Sequence, residues 1–146
     1  MRLVYIPGCW DLLHTGHLNI LERAKALGHT LVVGVASDEV ISLDKGTYPI
    51  VDLVERVRLL NALKCVDIAA PYYQLEFLTH LNCFKPDILA VGETWGTDVR
   101  HQEAEAWCEM HYVRFIKLPY TRGISTTFIK EQIYERSIRH ADEAAT

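Results

Sequence analysis

The chain is predicted to be α/β, a Rossmann-like doubly wound sheet of about five parallel strands with helices on both faces. Short apolar runs alternate with amphipathic runs from one end to the other, as in a series of βαβ units. The run Thr30-Leu31-Val32-Val33-Gly34-Val35-Ala36 is apolar without interruption, the pattern of a strand buried on both faces. With 146 residues and no internal repeat, low-complexity tract or linker, residues 1–146 form a single domain with one core.

Taken in order, Leu3-Val4-Tyr5-Ile6 is the first strand and Leu18 to Leu27 the first helix. Leu18, Leu21, Ala24 and Leu27 recur at helical spacing, and Gly28 stands where a left-handed C-terminal cap belongs. The second strand, 30–36, is ended by Ser37-Asp38-Glu39, and Ser42 to Pro49, which holds Asp44-Lys45-Gly46, is expected to be a loop. Leu53 to Leu63 resumes helical periodicity, with charged residues between Leu53, Val57, Leu60 and Leu63. Val66 to Ala70 is a third strand closed by Pro71, and 74–82 a helix ended near Lys85-Pro86. Ile88 to Val91 is the fourth strand, Gly92 to Gly96 a loop and His101 to Met110 a helix. Tyr112 to Leu118 is the fifth strand, Pro119 to Gly123 a loop, and Ser125 to about Arg139 the last helix.

Composition narrows the function classes. Hydrophobic residues at 49% and charged residues at 23% describe a globular chain, not a disordered one. A formal net charge of −4 argues against non-specific nucleic-acid binding as the main activity. No apolar run approaches the ~20 residues of a membrane span, and no signal-peptide layout precedes the first strand. Cys9, Cys65, Cys83 and Cys108 are dispersed, as expected for reduced thiols of a cytoplasmic protein. The spacing of His101, Cys108 and His111 fits no zinc pattern, so no protein-borne metal site is expected.

Right-handed crossovers place the strand-to-helix loops on one edge of a parallel sheet, where ligands bind. That edge collects residues 8–17, 37–38, 92–98 and 119–125. The first of these loops carries Gly8, which admits a close ligand, and ends on His14 and His17 at a helix start. Spare amides and the positive end of a helix dipole suit a phosphate there, and two imidazoles add donors for charge on a phosphoryl oxygen. The last loop gives Gly123-Ile124-Ser125-Thr126-Thr127, with Ser125 or Thr126 as N-cap and hydroxyls and amides for a second phosphate. Lys45, in a Gly-containing loop, suits a mobile cation over a triphosphate or a solvated surface lysine. Arg56 has the pattern of a surface arginine of an amphipathic helix. Asp11 is placed to orient His14, to contact a metal–phosphate or to cap a turn, and Trp10 and Trp95 to stack on a base or to fill core. There is no G-x-x-x-x-G-K-[ST] loop and no G-x-G-x-x-G fingerprint. What remains is attack by an incoming phosphate on an α-phosphorus without a covalent intermediate.

Gly8-x-x-Asp11-x-x-His14-x-Gly16-His17 resembles the signature of the HxGH nucleotidyltransferases, and Ile124-Ser125-Thr126-Thr127 resembles their second signature. The similarity extends over Leu21-Glu22-Arg23-Ala24-Lys25 and the Glu55-Arg56 helix, and within the superfamily it is greatest to the bacterial glycerol-3-phosphate cytidylyltransferases. The resemblance implies an enzyme that transfers a nucleotidyl group from CTP to a phosphorylated alcohol and releases pyrophosphate. His14 and His17 would contact the triphosphate, with Mg²⁺ on the phosphates, and Lys45 would reach the α-phosphate. Gly8, Cys9, Trp10 and Gly16 would line the nucleotide, together with Gly92, Glu93, Thr94 and the run Tyr120, Thr121, Arg122, Gly123. Ser125, Thr126 and Thr127, after Ile124, would hold the β- and γ-phosphates, and Asp11, Arg56 and Trp95 would lie near the acceptor. A homodimer is also implied.

The departures are specific. Relatives of that kind carry Gly-Asp-Asp-Trp where this chain has Gly92-Glu93-Thr94-Trp95, and Thr94 cannot supply the carboxylate linked to the cytosine amino group. The segment Tyr73-Gln74-Leu75-Glu76-Phe77 lacks a lysine expected to touch the acceptor. The alternative is an ATP-dependent adenylyltransferase on a sugar phosphate, resembling the adenylyltransferase half of the heptose phosphate enzymes in its Lys45-Gly46 loop. A non-catalytic nucleotide-binding module is a further alternative, but such a module should have lost a histidine or the Ser-Thr run.

Overall fold

The computed structural model describes residues 1–146. In chain order the elements are β1 Leu3–Gly8, α1 Thr15–Ala26, β2 Thr30–Ala36, α2 Asp38–Lys45, α3 Leu53–Asn61, β3 Ile68–Tyr72, α4 Leu78–Phe84, β4 Ile88–Gly92, α5 Val99–Met110, β5 Arg114–Leu118 and α6 Thr126–Ala145. The strands form one sheet in the order β3-β2-β1-β4-β5, and all four pairings are parallel. The strand order reverses between β1 and β4, so the crevice of a doubly wound sheet opens beside the loop that follows β1.

The period-two alternation of the strands sorts side chains onto the two faces. Val4, Ile6, Leu31 and Val33 share one apolar cluster with Ile20, Leu21 and Ala24 of α1 and Leu60 of α3. Tyr5, Val32, Leu89 and Val91 share a second with Leu81 of α4 and with Ala104 and Trp107 of α5. The core is thus two layers, one on each side of a sheet whose central strands are closed to solvent.

Several sequence expectations need correction. α1 ends on Leu27 in the right-handed region, and Gly28 is not left-handed. A Cβ at Gly28 would stand 2.7 Å from Val4 Cγ2 and 2.9 Å from the Arg2 carbonyl, so its role is close approach to the first strand. Residues 38–45 are a helix, not a loop. Ser37 caps it through Val40 N at 3.2 Å, and Gly46 closes it in the left-handed conformation at φ 77°. Only Val40 and Ile41 of α2 are buried, too few to generate a visible apolar period. Pro71 does not close β3 but lies within it, which is allowed because β3 is an edge strand paired only with β2. Helix α4 begins at Leu78, later than expected, and α6 continues to Ala145.

Candidate active site

The loop after β1 is held from several sides. Trp10 and Leu12 adopt left-handed backbone at φ 59° and 52°. Asp11, 6% exposed, accepts from the amides of Ile50 and Val51 at 2.9 Å each. Its carboxylate is 3.7 Å from Lys130 Nζ of α6. Asp11 therefore pins the segment before α3 to the histidine loop. Trp10 is buried, donates from Nε1 to the Gly34 carbonyl at 2.9 Å and meets His17 edge-on, with centroids 5.5 Å apart. Trp10 thus packs beside the histidine and also lines the cleft.

His14 is the N-cap of α1 and His17 its third residue, and the two rings stack 3.9 Å apart. His14 Nδ1 accepts from Gly16 N at 3.0 Å, and His17 Nδ1 accepts the longer bond from His14 N at 3.3 Å. This reciprocal capping box has imidazoles in the places usually taken by Ser and Glu. Because each Nδ1 accepts, each neutral ring must carry its proton on Nε2, the tautomer that leaves a donor free. Burial lowers the His17 pKa to about 4, aided by His14, opposed by Asp11 and aided again by Lys45. Burial also lowers that of His14. Two neutral donors thus stand side by side near neutral pH without the mutual repulsion of two imidazolium ions.

The second signature is joined to the first. Ser125 caps α6, its Oγ accepting from Phe128 N at 3.0 Å, and Thr126 Oγ1 donates to the Asp11 carbonyl at 2.8 Å. The start of α6, with no acidic residue in its first turn, faces the same cleft as the start of α1. Lys45, exposed at the last turn of α2, is close enough to His17 to disfavour its protonation.

The cleft encloses about 840 Å³ and brings together Gly8, Cys9, Trp10, Asp11, His14, Gly16, His17, Lys45, Gly92, Thr94, Trp95, Tyr120, Thr121 and Gly123 to Thr127. On the β4–β5 side, Thr94 Oγ1 bonds the Tyr120 hydroxyl at 3.0 Å, and Tyr120 N donates to Glu93 Oε1 at 3.1 Å. Gly92 carries no side chain because a Cβ would fall on the Tyr120 ring and hydroxyl. Thr121 Oγ1 accepts from Asn19 Nδ2 at 2.9 Å, which anchors the loop to α1. Glu93 and Arg122 are exposed and lie outside the lining.

Arg56 is not a surface arginine, nor does it line the cleft. It is 1% exposed. Its Nε donates to Val51 O at 2.9 Å, and Nη1 donates to Cys9 O at 2.6 Å and Ala36 O at 2.7 Å. Nη2 pairs with Asp38 at 2.6 Å. The guanidinium gathers carbonyls at the ends of β1 and β2 and is spent on structure. Residues that sequence reasoning missed do line the cleft: Arg100, Phe77 and Tyr72 on the β2–β3 side, and Lys130 near Asp11. Arg100 had no local signal, since only the fold brings α5 beside α2.

The donor set fits Mg²⁺ delivered on a triphosphate. Magnesium binds through one or two carboxylates plus phosphate oxygens, and the chain has no group of three or more His, Cys, Asp or Glu that would hold a metal unaided. Two carboxylates line the cleft, Asp11, whose oxygens already accept from Ile50 N and Val51 N, and Asp44, and either would be the protein's contact to such an ion.

What converges at this sheet edge is a set of amide, imidazole, hydroxyl and lysine donors, an arrangement suited to an anionic ligand. Comparison with known proteins is more specific: residues 5–132 match the cytidylyltransferase-like family model, and the chain belongs to that family. It is similar to the bifunctional protein HldE of Hydrogenovibrio crunogenus, 38% identical over 140 residues, which cover 94% of this chain and 28% of that protein. It is also similar to the ethanolamine-phosphate cytidylyltransferase of Arabidopsis thaliana, 36% identical over 157 residues, covering 92% of this chain and 34% of the relative. The chain thus spans about a third or less of these relatives. Among solved structures, the lipopolysaccharide core biosynthesis protein of Thermoplasma volcanium superposes with TM-score 0.71 and 31% identity, over 83% of this chain and 98% of that one. A pantoate-β-alanine ligase of Francisella tularensis, at 18% identity and TM-score 0.58, shares the fold, over 92% of this chain and 70% of that one.

Proposed function

We propose that the cleft transfers a nucleotidyl group from CTP to a phosphorylated alcohol of the glycerol 3-phosphate kind, with release of pyrophosphate. The observation that carries this reading is the stacked His14–His17 pair, with both Nδ1 atoms accepting backbone amides and both Nε2 atoms left as donors. An oxygen of the acceptor phosphate attacks the α-phosphorus in line. The bond to the bridging oxygen breaks, and its electron pair leaves with pyrophosphate. No covalent enzyme intermediate forms, so the protein's part is positioning and charge stabilisation. His14 and His17 donate to phosphoryl oxygens, whose charge changes as the bond breaks. Lys45 swings in from the end of α2 to the α-phosphate. The α6 amides, with Ser125, Thr126 and Thr127, hold the β- and γ-phosphates that become pyrophosphate. Bound with the triphosphate, Mg²⁺ supplies charge neutralisation on its oxygens.

A second reading, ATP with a sugar phosphate, is favoured by one observation. Thr94 offers a hydroxyl tied to Tyr120 where a carboxylate would be linked to the cytosine amino group. The similarity to HldE supports it further. Pyrophosphate release measured with CTP and with ATP, each against sugar, glycerol, ribitol and choline phosphates, decides between them. CTP with a polyol phosphate is expected to turn over fastest. Faster turnover with ATP selects the second reading, and no release with any pair selects a nucleotide-binding module.

A further inference from the structure

Three cationic side chains line the cleft, namely Lys45, Arg100 and Lys130. Lys130 faces Asp11 at 3.7 Å, on the side of α6. The β2–β3 side of the cleft, bounded by α2, Tyr72, Phe77 and the start of α5, therefore has Lys45 and Arg100. With Arg56 committed to carbonyls and Asp38, Arg100 is the guanidinium left to meet a ligand there.

Arg100 is set for that use. Its Nη1 donates to Leu75 O at 3.1 Å, and its planar group lies over the Phe77 ring, 5.2 Å from the centroid. Its Nη2 pairs with Asp44 at 2.5 Å, from α5 to the last turn of α2, and its Nε meets Asp98, the N-cap of α5, at the longer distance of 3.4 Å. The arginine side chain is 18% exposed and the aspartate 36%, so water reaches the pair chiefly from the aspartate side. Partly solvated pairs of this kind hold weakly, while a guanidinium forks onto a phosphate through two parallel bonds. Asp44 is the anion now on Nη2, and it is the residue immediately before Lys45.

We propose that Arg100 binds the phosphate of the acceptor by exchanging the Asp44 carboxylate for it. This inference rests on the reading of the cleft as a nucleotidyl-transfer site. The exchange releases the last turn of α2, beyond which Gly46 has open space around it. Arrival of the acceptor is thereby coupled to the freedom of Lys45 to move over the α-phosphate.

The test measures acceptor KM and nucleotide KM separately in the wild type, Arg100→Gln, Arg100→Lys and Asp44→Asn. In parallel, the thermal shift of each protein is followed with glycerol 3-phosphate, a sugar 1-phosphate and inorganic phosphate as probes. Arg100→Gln is expected to raise acceptor KM tenfold or more with nucleotide KM unchanged, and Arg100→Lys to restore part of it. Asp44→Asn is expected to lower acceptor KM about threefold, because a competing anion is gone. Acceptor KM unchanged in Arg100→Gln, or raised alike by Asp44→Asn, would show a mere strut and overturn the proposal while transfer itself stands. If the wild type transfers nothing, the reading as a transferase fails separately. The probe shifts then decide: a phosphate shift lost in Arg100→Gln sustains the site, and no shift in any protein, or equal shifts in wild type and variant, removes it.

Discussion

His14 and His17 stand as a stacked pair whose protons the backbone assigns. Each Nδ1 is taken by an amide hydrogen of the helix start, so the donors at Nε2 follow from the capping geometry and not from any separate positioning residue. His17→Asn is expected to reduce transfer by about a hundredfold or more, the scale of a lost preorganised donor at a reacting oxygen. Its circular dichroism should match the wild type, and normal turnover would remove the mechanism. Lys45→Ala should lower kcat about tenfold or more with a smaller change in nucleotide KM, because a cation that closes over the α-phosphate acts chiefly in the transition state. The placing of His14 and His17 at a helix start was legible in the sequence, from the spacing of Gly8 to His17 at a strand-to-helix junction, whereas Lys45 was left between a mobile cation and a solvated lysine in an expected loop. Arg100 was not, because apart from the neighbouring Asp98 its partners Asp44, Leu75 and Phe77 are 23 or more positions away and only tertiary structure unites them.

At the scale of elements, the site is a meeting of helix ends. The starts of α1 and α6 and the end of α2 approach one edge of the sheet, and single residues tie them together: Thr126 to the Asp11 carbonyl, Asp11 to Ile50 and Val51, Arg56 to Cys9 and Ala36. Arg56→Met should cost about 3 kcal/mol of unfolding free energy in a denaturant titration, because it strips buried carbonyls of their donors and leaves Asp38 unpaired. That loss should appear as stability, not as a selective rise in acceptor KM, which separates Arg56 from Arg100. The helix with a conspicuous period, α1, was readable from sequence, whereas α2 was not, since a two-turn helix burying Val40 and Ile41 displays no period. Its signals were at its ends, Ser37 and Gly46, where residues that cap a helix also look like residues that end a strand and form a loop. Pro71 misled for a related reason: edge or centre is decided by the sheet, not by the residue.

For the molecule as a whole, the succession of strands and the position of the ligand crevice were legible, because buried parallel strands leave long apolar runs and the crossover rule fixes their loops on one edge. The burial that shapes the core also sets a pH response. His17 and His80 have pKa values of about 4 in the fold, chiefly through burial, against an ordinary value of 6.5. Between those values the unfolded chain binds more protons than the folded one, so stability is retained above pH 6.5 and lost as pH falls toward 4. Thermal midpoints should therefore drop across this window, and the slope should shrink in His17→Asn; an unchanged slope would show that His17 is not held neutral by the fold. The left-handed backbone at Trp10 and Leu12 has a consequence at the same scale. A residue with a side chain held in that region costs about 1–3 kcal/mol, and here the cost falls on the folding of the whole domain. Asp11, Trp10 Nε1 and Arg56 restrain the loop through contacts made within the protein itself, so the ordering of the histidine loop belongs to folding. A substrate that need not organise its own site can direct its binding free energy to the transition state instead.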